Sequence, residues 1–193
     1  MPRLRSDSRQ RLVDAASLLL RRQGYQATGM AQIVKVSGAP RGSVYFLFPG
    51  GKEELAVAAV RASATKFAQR IAAAAAGPDV RSFCAALVEH LAEDLTGSDY
   101  TEGCPVSTVT LDSTPGSPAL AEACSQAYAS WQRAIEDALV GYGVGQSRAA
   151  RLAVLMLAAV EGALLLCRAK RSLSPLEEVH TEILALVEAA GAT

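Results

Sequence analysis

The 193-residue chain is half hydrophobic and 5% aromatic, with alanine and leucine dominant and few period-two runs of Val, Ile, Thr and Tyr. That composition argues against a sheet protein and predicts a globular, all-α fold. Net charge is zero, yet residues 1–52 hold nine basic groups against two acidic ones, +7, leaving −7 on the rest; this suits a nucleic-acid-binding end on an acidic body, or a merely solvated basic face.

Leu12, Ala15, Ala16, Leu19 and Leu20 recur at helical spacing, which predicts an amphipathic helix over about residues 7–23, stopped by Gly24. Thr28 is placed to cap a short second helix near 29–36, with Met30, Ile33 and Val34 facing inward. The break SGAP (37–40) supplies Gly38 for positive φ and Pro40 as the opening of a third short helix, about 40–47. Beyond the corner FPGG, helices are expected over 52–76, 80–96 and 105–112, the last two separated by the turn-rich TGSDYTEG. The break STPGSP then precedes three longer helices near 118–140, 147–171 and 174–190. Nine helices result, the first three small and basic.

Much chemistry is absent. Cys84, Cys104, Cys124 and Cys167 are widely spaced and form no CxxC pair, so free thiols in a cytoplasmic protein are expected, with no metal and no cofactor. No signal peptide is evident, and the apolar run 152–167 is short for a bilayer and contains Glu161, which favours a buried helix over a membrane span. A phosphate-binding loop around Gly51-Lys52 would need glycine at Phe46 and Ser or Thr at Glu53. His90 and His180 lie on separate helices, and no nucleophile elbow or HExxH pattern occurs, so no catalytic residue is assigned and an enzyme is not expected.

The segment PRGSVYFLFPGGKEEL (40–55) fits the second half of a helix-turn-helix, in which a short helix presents its N-terminal residues to the major groove. Ile33, Val34, Val44 and Phe48 supply a small core, while Arg41, Ser43 and Phe46 point away. Arg41 can meet phosphate or a guanine edge, Ser43 offers a hydroxyl, Tyr45 joins an apolar ring to a donor, and Phe46 suits a thymine methyl. Lys52 opens the next helix, within reach of a backbone phosphate.

Residues 28–55 resemble the TetR-like transcriptional regulators, with Thr28, Ile33, Gly38, Gly42, Tyr45, Phe48, Lys52 and Leu55 at the positions of their N-terminal signature. Val34 and Ser37 replace the usual alanines, Pro40 replaces the usual capping Ser or Thr, and Leu47 stands where many members carry a phosphate-contacting His. The corner's extra glycine and GCPVSTVTLD (103–112) are similar to the LmrA and YxaF branch. The resemblance implies a DNA-binding domain over 1–51, with Thr28, Arg41, Gly42, Ser43, Tyr45, Phe46 and Lys52 at the DNA, and a ligand-binding and dimerisation domain over 52–193. It also implies a four-helix dimer interface formed by the last two helices.

The body independently suggests a partner. Helix 147–171 is apolar on nearly every side over Leu152–Cys167, so it needs cover from its own chain on one face and from a second copy on another. Leu176, Val179, Ile183, Leu186 and Val187 form a stripe on helix 174–190 that could pair with it across a two-fold axis; one large monomeric core is the alternative. A small-molecule pocket is expected among helices 80–140, closed by helix 147–171 and lined by Phe83, Leu87, Leu91, Cys104, Val106, Tyr128, Trp131 and Glu161. Glu161 either makes a structural hydrogen bond or selects a cationic or donor-rich ligand. The resulting expectation is a dimeric repressor that holds a palindromic double-stranded operator and is released by an effector. Its rival is a helical small-molecule-binding or interaction protein without DNA function.

Overall fold

The computed structural model describes residues 2–191 and, within them, the side chains of all but residues 2–6 and 114. Arg3 and Arg5, counted in the basic stretch, therefore lie outside the described side chains. Among the described residues there is no strand, and the α-helices are α1 (Pro2–Gln23), α2 (Met30–Ser37), α3 (Arg41–Leu47), α4 (Gly51–Ala74), α5 (Val80–Gly97), α6 (Pro105–Ser113), α7 (Pro118–Gly141), α8 (Gln146–Lys170) and α9 (Ser174–Glu188). A 3-10 turn, Thr114–Gly116, joins α6 to α7. The all-α expectation holds, and α1 starts earlier than its apolar repeat because no helix breaker follows Pro2.

Contacts divide the chain into two compact units, one of residues 1–65 and 104–127, the other of residues 66–103 and 128–193. In the first, Leu12, Leu20, Ile33, Phe48, Leu55 and Leu120 are fully buried. Each such side chain withdrawn from water contributes about 1.5–3 kcal/mol. Polar ties supplement this core: Thr108 Oγ1 donates to the Leu20 carbonyl at 2.8 Å, and Ser117 Oγ donates to Glu53 Oε1 at 2.5 Å.

The second unit is built on Ile71, Phe83, Leu95, Leu139, Leu152 and Leu176, all fully buried. Helix α5 begins at an Asp79 cap, whose carboxylate accepts the Ser82 N–H at 2.7 Å. Arg70 and Asp94 form a half-buried ion pair at 2.7 Å. All four cysteines are free, and burial pushes the Cys84 thiol up to about 11.

Of the apolar stripe on α9, Leu176, Ile183 and Val187 are buried within their own unit, where α9 packs on α5 and α8, while Val179 is half-buried and Leu186 is exposed. Helix α8 carries a larger uncovered apolar face, with Val154, Leu155, Leu165 and Leu166 each about half exposed. The apolar run 152–167 lies within α8, and the helix as a whole, at 25 residues, is long and apolar enough to cross a bilayer by length and composition only. A third of its most apolar window is buried inside the fold.

Candidate nucleic-acid interface

Helix α1 ends at Gly24, whose φ of +75° only glycine adopts without strain. Thr28 lies in the turn that follows. Its hydroxyl donates back to the Gly24 carbonyl at 2.6 Å, while Gly29 takes the capping position of α2 with no side-chain cap. The capping role expected of Thr28 is thus corrected, and at 2% exposure its side chain sits inside the protein. Thr108, arriving on α6, seals the same helix end by bonding to Leu20.

The turn between α2 and α3 uses Ser37 and Gly38. Ser37 Oγ donates to Val34 O and accepts the Ala39 N–H, each at 3.1 Å, so the buried hydroxyl satisfies two backbone groups where an alanine would satisfy none. Gly38, in the left-handed region at φ +62°, caps α2, and Pro40 occupies the N-cap of α3 with no side-chain bond. Val44 and Phe48 anchor α3 from beneath, and the Arg9 guanidinium carbon lies 5.1 Å from the Phe48 ring centroid.

What α3 shows to solvent is consistent with recognition. Tyr45 and Phe46 are 70% and 66% exposed, Arg41 and Gly42 are exposed, and Ser43 is half-buried. An exposed aromatic pair on a seven-residue helix is costly in water and gains value only when something covers it. A side chain at Gly42 would meet nothing of its own fold within 4 Å, so this glycine leaves room on the outer surface and not in the core. Leu47, at the position of the missing polar phosphate contact, is half-buried.

Lys52 stands in the first turn of α4 with its ammonium 4.1 Å from the Tyr25 ring centroid. Burial pushes its pKa down, and the nearby Asp112 carboxylate opposes that shift. Tyr25 is pushed up by burial, then by the charges of Glu53 and Asp112. Asp112 itself accepts the Gln26 N–H at 2.9 Å. It was missed in the sequence reading because it lies 86 positions from Gln26, and only a three-dimensional arrangement joins them.

The expected pocket lining is distributed between the two units. Cys104 and Val106 belong to the first, where Val106 is fully buried and its carbonyl accepts from Cys124 Sγ at 3.8 Å. Phe83, Leu87, Leu91, Tyr128, Trp131 and Glu161 belong to the second. There Trp131 is buried between edge-on contacts with Tyr128, at 5.6 Å, and Phe67, at 4.9 Å, the latter an aromatic neighbour absent from the sequence-based set. Phe83 is fully buried against Tyr142, whose hydroxyl donates to the Ala75 and Gly77 carbonyls. Leu91 is buried, Leu87 is half-buried, and Glu161 is half-buried with its Oε2 atom enclosed. His90 Nδ1 lies 2.6 Å from the carbonyl of Ala86 in its own helix.

A small helical unit with a glycine-turned helix pair and an exposed, aromatic second helix defines a helix-turn-helix protein. Residues 12–59 match the family model of bacterial regulatory proteins of the tetR family, and residues 81–182 match the C-terminal domain of LmrA/YxaF-like transcriptional regulators. The HTH-type transcriptional regulator LmrA of Bacillus subtilis is 36% identical over 176 residues, covering 91% of this chain and 94% of that protein. The B. subtilis regulator YxaF is 31% identical, covering 97% and 98%. A crystal structure of a TetR transcriptional regulator from Chloroflexus aurantiacus has a TM-score of 0.75 at 27% identity, covering 96% of both chains. The chain belongs to the TetR family of helix-turn-helix transcriptional regulators, in the LmrA/YxaF-like branch. Its relatives are regulators and not enzymes.

Proposed function

We propose that the protein is a cytoplasmic repressor that binds a palindromic operator as a homodimer and is released by a small-molecule effector. Residues 1–51, together with Lys52 in the first turn of α4, carry the DNA contacts, and the rest of residues 52–193 carries the effector site and dimer contacts. The observation that bears most weight is the outer face of α3, where exposed Tyr45 and Phe46 accompany Arg41, a pairing of ring surface and cation that suits base edges and phosphates. Arg41, Ser43, Tyr45 and Phe46 then touch DNA directly, Gly42 permits close approach, and Thr28 acts by holding the turn. The half-exposed leucines of α8 support a second copy as the cover for that helix. A dimer would present two α3 helices about one turn of DNA apart, which one short helix alone cannot match in specificity.

For the effector, the aromatic group of Tyr128, Trp131 and Phe67, with Glu161 on α8, supports a ligand with an apolar body and a polar end. Effector binding would favour a conformation in which the two α3 helices no longer dock together. The test is selection of DNA from a random pool with the purified protein, followed by titration at several salt concentrations. A two-fold symmetric consensus whose binding weakens steeply with salt supports the reading, and an unselective pool sinks it.

A further inference from the structure

Three consecutive residues in the first turn of α4 are each tied to a different part of the chain, all within the first unit. Lys52 lies with its ammonium 4.1 Å from the ring centroid of Tyr25, in the turn after α1. Glu53 accepts the Ser117 hydroxyl on Oε1 at 2.5 Å, and Glu54 accepts the Gly50 N–H on Oε2 at 2.8 Å. The corner beside them is tight: Gly51 holds φ at +70°, and an added Cβ at Gly50 would come within 3.1 Å of Glu54.

Ser117 is the distant partner in this set. It stands 64 positions from Glu53, immediately before α7, and is 5% exposed. Its Oγ also accepts the Leu120 N–H at 3.1 Å, so one hydroxyl caps α7 and donates to α4 at once. The Glu53 carboxylate is thereby held at the positive end of the α7 dipole, by a bond stronger than one between neutral groups. A helix start secured on two sides does not fray, and a cation carried on it loses less freedom when it meets a ligand.

We infer that Ser117 and Glu53 are positioning residues for DNA binding: docked on the capped start of α7, Glu53 fixes the first turn of α4 so that Lys52 is presented to a backbone phosphate. The inference rests on the proposed DNA function and goes beyond it by naming the groups through which α7 governs that contact. Neither residue touches DNA; both act through Lys52.

Glu53→Gln removes the charge while its amide oxygen can still accept the Ser117 hydroxyl, whereas Glu53→Ala removes charge and tie together. Operator affinity of the full-length variants is measured by anisotropy at several salt concentrations, on DNA selected by the wild type. Glu53→Ala should bind about threefold to tenfold more weakly than Glu53→Gln, with a salt slope lower by about one, and the difference should vanish when Lys52 is alanine. Ser117→Ala should show the same loss, and Ser117→Thr, which keeps the hydroxyl, should restore binding. A serine that merely capped α7 would change the melting temperature and leave the salt slope alone. Equal affinity and slope for the two Glu53 variants overturn the inference, as does a difference that persists in the Lys52→Ala background. The two Ser117 variants give the same decision if Glu53→Ala does not fold. Failure of the wild type to bind any selected DNA sinks the repressor reading, whereas selective wild-type binding with indifferent variants sinks this inference alone.

Discussion

Helices α3 and α8 both expose large apolar side chains, yet they expose different kinds. On α3 the exposed groups are Tyr45 and Phe46, beside Arg41, on a helix of seven residues. On α8 they are Val154, Leu155, Leu165 and Leu166, all aliphatic, with the basic residues Arg168 and Lys170 of its last turn beside the second pair. Aromatic rings next to cations suit a flat, polar, anionic surface, whereas branched aliphatics can be satisfied only by other aliphatics. Under the proposed function, these two exposed faces are addressed to two chemistries, nucleic acid and protein.

The comparison breaks most severely when the support beneath α3 is removed. Phe48→Ala should lose about 3–5 kcal/mol of stability, because a fully buried ring leaves a cavity, and a urea melt will read the loss. On α8, Leu155→Glu combined with Leu166→Glu should raise the dimer dissociation constant by about a hundredfold or more while helicity is retained, read by sedimentation. A wild-type protein that is monomeric at all concentrations would remove the protein half of the contrast. Tyr45→Ala should leave stability within about 0.5 kcal/mol and reduce operator affinity about tenfold, read by anisotropy.

The smallest effect belongs to a group outside both faces. The Ser82 N–H holds the Asp79 carboxyl below its ordinary value, so this cap's stabilisation is complete above the unfolded value of about 3.9 and is lost as pH falls through the lower folded value. Asp79→Ala should therefore melt lower than wild type at neutral pH and lose less on acidification, which thermal melts between about pH 5 and about pH 2 will measure.

The sequence disclosed features whose cause is local. Gly24 and Gly38 end helices at positive φ, and the spacing of Val44 and Phe48 leaves Tyr45 and Phe46 on the opposite side of a short helix. It was less informative wherever two burial partners satisfy the same pattern. The stripe of Leu176, Ile183 and Val187 is equally compatible with a second copy or with the chain's own α5 and α8, and periodicity does not distinguish them. Thr28 misled for a related reason, since a threonine ahead of a helix reads as a cap until its hydroxyl is seen turned back toward Gly24. Asp112 was invisible because its hydrogen-bond partner Gln26 is 86 positions away in the chain.

The Thr108 and Asp112 bonds to the end of α1 bear on how such proteins can be recombined. Residues 1–51 look like a transferable cassette, but the last turn of α1 is completed by groups that arrive on α6. A chimera that exchanged only the N-terminal segment with a relative would inherit a foreign seam at Leu20, Gly24 and Gln26. To be grafted intact, the DNA-reading module has to travel in two pieces, with residues 105–113 as the second.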